Sequence, residues 1–161
     1  METTTLTPER GRLQFGPCVV EWTGEELTLA NALVGRRWRV ANGLLYPLSL
    51  RDRMTGREWL ARPADQPAPV PECVVPDEPR TVEVTAGRGC FGPVEAPSLV
   101  VEVTAAGASL TLRYRFQLFA SAPGISVQLS WDRTDRADPS DPPDQTLADD
   151  RPRATGQEGA A

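Results

Sequence analysis

Apolar and polar residues alternate strictly over two stretches in the second half of the chain. In SLTLRYRFQLF, Leu110, Leu112, Tyr114, Phe116 and Leu118 share one side, while Thr111, Arg113, Arg115 and Gln117 share the other. Period-two alternation marks a half-buried strand. ISVQLSW repeats it, with Ile125, Val127, Leu129 and Trp131 inward and Ser126, Gln128 and Ser130 outward. Pro123 and Gly124 between them supply a turn, so the two runs are expected to pair antiparallel, with Trp131 in the core. Shorter alternating runs, ELTLAN, TVEVT and SLVVEVTA, predict further strands burying Leu27 and Leu29, Val82 and Val84, and Leu99, Val101 and Val103. No stretch sustains a helical period. The pattern therefore predicts an all-β fold, an antiparallel two-sheet β-sandwich.

Residues 31 to 60 are the densest part. Asn42-Gly43 is a two-residue hairpin signal, since both tolerate positive φ. A type I′ turn there sets Arg39 opposite Tyr46 and Trp38 opposite Pro47. It also puts Leu44, Tyr46 and Leu48 on the face of Arg37 and Arg39, so either a bulge shifts the pairing or Arg stems cover an apolar face. A second turn, RDRMTGRE, reverses the chain, with Asp52 as an acceptor for backbone N–H groups and Gly56 available for a left-handed position. Six prolines between 61 and 80 predict a long connection that crosses between sheets or covers a surface. Gly87 to Gly92 spell G-x-G-x-x-G, but Pro93 follows and no helix opens, so the nucleotide reading is rejected.

Composition changes the picture at the C-terminus. From Asp132 onward there is no aromatic residue and one large aliphatic, Leu147, among 8 acidic residues and 4 Arg. Such a segment cannot offset its ordering entropy. The division expected is a sandwich over 1–131, with 1–12 flexible, and a disordered acidic tail over 132–161. All 17 basic residues are Arg, against 22 acidic. A net charge of −5 with no basic cluster argues against nucleic acid. The chain has no His and no Lys. That removes Ser-His-Asp and Cys-His catalysis, most catalytic zinc sites, Schiff-base chemistry and the P-loop. No cofactor and no metal are expected. Cys18, Cys73 and Cys90 are widely spaced and odd in number, which suits buried thiols better than a disulfide framework. No apolar run approaches the ~20 residues of a membrane span, and the N-terminus lacks an apolar leader, so a cytoplasmic protein with no membrane partner is expected.

The segment NALVGRRWRVANGLLYPLSLRDRMTGREWL resembles the N-terminal β-supersandwich domain of α-galactosidase-like glycoside hydrolases. The residues that carry this are Asn31, Arg36 and Trp38, Asn42-Gly43, Asp52, Thr55-Gly56 and Glu58-Trp59, in that order. LRYRFQLFASAPGISVQLSW looks like the part that follows, so the resemblance runs from about Leu27 to Trp131. It implies a supersandwich-like domain with strands missing, and hence exposed sheet edges. It also implies a non-catalytic accessory domain or fragment, whose catalytic carboxylates lie on a separate (β/α)₈ barrel. The alternative is a free carbohydrate-binding module, because a sugar's C–H face stacks on an exposed indole. Trp59, Trp38, Arg36 and Asp52 are the candidates for contact with an oligosaccharide or a partner barrel. Trp38 is expected in the core or an interface, and Trp59 is the best exposed candidate. Arg36, Arg37 and Arg39 read as a solvated or interface face. Asp52 and Glu58 could form a retaining-type carboxylate pair across the turn, but turn-capping by Asp52, with Glu58 facing Arg57 or Arg53, is the simpler reading.

Overall fold

The computed structural model describes residues 3–6, 10–60, 62–75, 77–89 and 98–134. The tail expected from 132 on, and Cys90 to Gly92, therefore lie largely or wholly outside the described residues. The described chain holds ten strands and no helix. They are β1 (Thr3–Leu6), β2 (Gly11–Phe15), β3 (Cys18–Trp22), β4 (Glu26–Ala30) and β5 (Val34–Ala41), then β6 (Leu44–Asp52), β7 (Thr81–Gly89), β8 (Ser98–Ala106), β9 (Leu110–Phe119) and β10 (Ile125–Arg133). They form two antiparallel five-stranded sheets, one ordered β1-β7-β8-β9-β10 and the other β2-β3-β4-β5-β6. Within residues 1–12, the described part holds β1, paired with β7, and the start of β2.

The sandwich follows from the alternation. Each meander offers one apolar face, and the two faces bury one another. Cys18, Val20, Trp22, Leu27, Leu29 and Trp38 come from one sheet, and Val84, Leu99, Val101, Val103, Leu112, Tyr114, Phe116 and Leu118 from the other, all essentially buried. Trp38 and Phe116 meet across the layers with ring centroids 5.0 Å apart.

The Asn42-Gly43 turn forms as predicted, with φ of 49° and 71°. Arg39 stands opposite Tyr46, and Trp38 opposite Pro47. Both open alternatives for this hairpin are realised. A bulge lies between Arg37 and Trp38, so Ser49 rather than Leu48 faces Arg37. The guanidinium of Arg39 lies over the Tyr46 ring at 4.8 Å.

The Pro-rich connection both crosses between sheets and covers an edge. It leads from β6 to β7, and on the way Ala64 and Ala68 donate backbone hydrogen bonds to Pro47 and Leu45 (2.8 and 2.7 Å). Arg80, its side chain fully buried, anchors the far end. It donates to the carbonyls of Asn42, Val75 and Glu78 and to the Glu78 carboxylate.

Trp131 departs from expectation. Its register opposite Leu112 puts it on the inward side, yet it is 48% exposed, as is Val127. β10 is an edge strand, and only Ile125 and Leu129 of its inward face pack on the core. The turn contact Thr134 N–H to Ser109 C=O (3.0 Å) shows that the even-numbered residues bond to β9. The odd-numbered N–H and C=O groups of β10 therefore face the open edge.

A candidate cleft on the open flank of the sandwich

Along the flank where β10 ends one sheet, the layers part and leave a cleft. Val34, Arg36 and Trp38 are successive inward positions of β5 and form one wall. Pro123, Val127 and Leu129 form the other. Two cavities lie along it. The larger, about 470 Å³, is lined by Leu33, Val34, Leu50, Asp52, Met54, Trp59 and Pro123. The smaller, about 210 Å³, lies between Arg36, Trp38 and Leu45 on one side and Tyr114, Phe116, Val127 and Leu129 on the other.

All four candidate residues thus reach one flank, in different states. Trp59 stands at the rim, 59% exposed, with the Arg57 guanidinium 4.9 Å over its ring. Its position is set by the turn, since Trp59 N–H donates to Leu50 C=O (2.7 Å). Trp38 is buried and serves as wall rather than as an open platform. Arg36 turns inward, unlike Arg37 and Arg39, which point out to solvent. The expectation of one solvated Arg face is corrected here, because Arg36 pairs opposite Leu29 and Leu50, on the core side. Its guanidinium lies 4.9 Å over the Trp38 ring, and burial pulls its pKa down.

Asp52 is a turn cap. Its Oδ1 accepts from the N–H groups of Met54 (2.8 Å) and Thr55 (3.1 Å), and Gly56 takes the left-handed φ of 74°. Glu58 does not face Arg57 or Arg53. Its Oε2 accepts from the Ser49 hydroxyl (2.6 Å), and its Oε1 from Leu50 N–H (2.7 Å) and Leu60 N–H (3.1 Å). Arg53 donates instead to Asn31 C=O. Hydrogen bonds hold both carboxyls below their ordinary pKa. The main donor is Thr55 N–H for Asp52 and the Ser49 hydroxyl for Glu58. A glycosidase acid needs a raised pKa. The two carboxylates are therefore built as turn staples, and the retaining-pair reading is set aside.

Among the described residues no group of His, Cys, Asp and Glu could hold a metal ion. Among the same residues no helix is long and apolar enough to cross a membrane. Sequence reasoning missed Tyr114 and the far wall of the cleft. Alternation puts Leu129 and Val127 on the inward side, but nothing local says that they line a gap. Comparison with family models found no match to this chain, and comparisons with curated proteins and with solved structures found none either.

Proposed function

We propose that the chain is a non-catalytic accessory domain of an α-galactosidase-like glycoside hydrolase, which docks through its open flank on a (β/α)₈ barrel carried elsewhere. The ordered motif from Asn31 to Trp59 motivates the family. The observation that carries the docking role is the apolar surface left uncovered on one flank: Met54 and Trp59 at one end, Val127 and Trp131 along β10. Large apolar side chains left exposed along one flank are a common feature of interaction sites in proteins. Asp52, which lines the cleft, and Glu58, next to Trp59 in the chain, are committed to the backbone, so chemistry is assigned to the partner.

A second reading has its own observation. Trp59 is exposed beside a 470 Å³ cavity, as a sugar-stacking residue would be. The two separate in one experiment. The purified chain is titrated with galactose, melibiose and raffinose while tryptophan emission is followed, and its hydrolysis of p-nitrophenyl α-galactoside is assayed alone and with a co-expressed barrel of the family. The accessory-domain reading expects no hydrolysis alone, no sugar response, and co-purification with the barrel that Trp131→Lys abolishes. Saturable quenching that Trp59→Ala removes, without barrel binding, would replace it with the carbohydrate-binding reading.

A further inference from the structure

Arg36 is the anomaly of the cleft. Its guanidinium is half-buried, forms no ion pair among the described residues, and lies over the face of Trp38. Buried charges in proteins are normally paired, because removal from water is otherwise uncompensated. A second unmet group lines the same cavity. Tyr114 is buried, and its hydroxyl has no hydrogen-bond partner among the described residues. The remaining walls are apolar and partly aromatic, with Trp38 and Phe116 in contact and Leu45 and Leu129 beside them. An apolar pocket with a few placed polar groups is the usual form of a small-molecule site.

We propose that the cavity between β5 and β10 binds a small molecule consisting of one six-membered ring that bears a carboxylate, with the ring against Leu129 and Val127 and the carboxylate on Arg36. Size sets the single ring: about 210 Å³ is below the ~300–1,000 Å³ of drug-sized sites. Charge sets the carboxylate, whose two oxygens match the fork of a guanidinium. The apolar lining offered by Leu129 and Val127 suits either a planar aromatic ring or the C–H face of a pyranose. The shared chemistry is therefore a ring carboxylate, from a uronic acid or an aromatic acid. The proposal does not rest on the accessory-domain reading, although both use the open flank: that reading concerns a barrel and neutral galactosides, whereas this site is tested on the chain alone, with acids.

The test uses the whole chain, isothermal titration and tryptophan emission, with sodium galacturonate and sodium benzoate as probes. Galactose and benzyl alcohol, at matched ionic strength, are the neutral controls. Saturable binding of at least one acid is expected, with its neutral counterpart about tenfold weaker or more, the size of a charge-assisted hydrogen bond. Binding of galacturonate alone identifies a sugar acid, and binding of benzoate alone an aromatic acid. Arg36→Gln should weaken binding by about the same factor while circular dichroism and the unfolding midpoint hold. Leu129→Trp fills the cavity without touching Arg36 and should abolish binding, which covers the case of an unfolded Arg36 variant. Absence of binding by both acids, or equal binding by acids and neutral controls, overturns the proposal. So does binding that survives both substitutions.

Discussion

Asn31, fully buried at the end of β4, uses its whole side chain to join the two sheets. Its Nδ2 donates to Phe119 C=O (2.7 Å) and Ala122 C=O (2.8 Å) in one sheet's turn, and its Oδ1 accepts from Leu33 and Val34 N–H (both 2.8 Å) in the other. Asn31→Ala leaves buried backbone groups without partners and should cost about 2–4 kcal/mol. Urea unfolding should show a lower midpoint at an unchanged slope. Asn31→Asp should be no milder, because a carboxylate cannot donate to the two carbonyls. The staple carboxylates act differently, since their effect depends on pH. Asp52, Glu58 and Glu78 are all held below their ordinary values of 3.8, 4.5 and 4.5, Glu78 mainly by the Ser109 N–H. A depressed folded pKa means that the unfolded chain binds more protons as pH falls. Their contribution is complete above about pH 5 and is lost as pH drops through the unfolded values toward the folded ones. Urea midpoints should therefore be flat from pH 7 to about 5 and fall below that. The fall should be shallower in Glu58→Gln, whose lower midpoint at pH 7 reports the lost staple. A slope identical to the parent's would remove Glu58 from the account.

At the scale of elements, the tightest constraint is the β5–β6 turn. Gly43 has φ of 71°, and a Cβ there would lie 2.5 Å from the Ala105 Cβ of the opposite sheet. Gly43→Ala combines a left-handed strain with a clash, and should lower stability by about 1–3 kcal/mol, read by thermal melting. β10 poses the opposite problem. Ile125 to Trp131 carry no charge and no Pro, so the open edge lacks the devices that keep strands apart. Trp131→Lys should leave the melting temperature nearly unchanged, since the indole is half-exposed, and should lower light scattering at raised protein concentration. β9, β10 and the Asn42-Gly43 hairpin were legible in the sequence because alternation and turn chemistry are local signals. β2 and β3 were not. GRLQF and CVVEW are five residues each, too short for a period to stand out, and the Gly16 turn (φ 56°) joins them without an Asn-Gly or Asp-Gly signature. The exposure of Trp131 was illegible for a different reason. Alternation tells which side a residue faces, and says nothing about what lies opposite. The cleft shares that limit. Arg36 and Trp38 sit two residues apart, but Val127 and Leu129, across the gap, are some ninety residues away.

For the whole molecule, topology decides how it opens. One sheet is an unbroken meander, β2 to β6, and the other is the meander β7 to β10 extended by β1, so each sheet's apolar face finds cover only on the other. Neither should persist alone, and unfolding should be a single cooperative step. Cys18 offers a probe at the contact between the layers. It is fully buried in β3, its Sγ donates to Leu118 C=O in β9 (3.5 Å), and burial raises its pKa. Reaction needs the thiolate and access to solvent, and the native sandwich denies both. Cys73, by contrast, is exposed on the Pro-rich connection. With Cys73 and Cys90 replaced by Ser, Cys18 is the one thiol left. Its modification by a disulfide reagent should then be slow in buffer and accelerate in urea with the slope of global unfolding. A shallower slope would mean that the layers part locally, at the β3–β9 contact, without the rest of the molecule. The cooperative picture would then yield to one in which the open flank continues into the core.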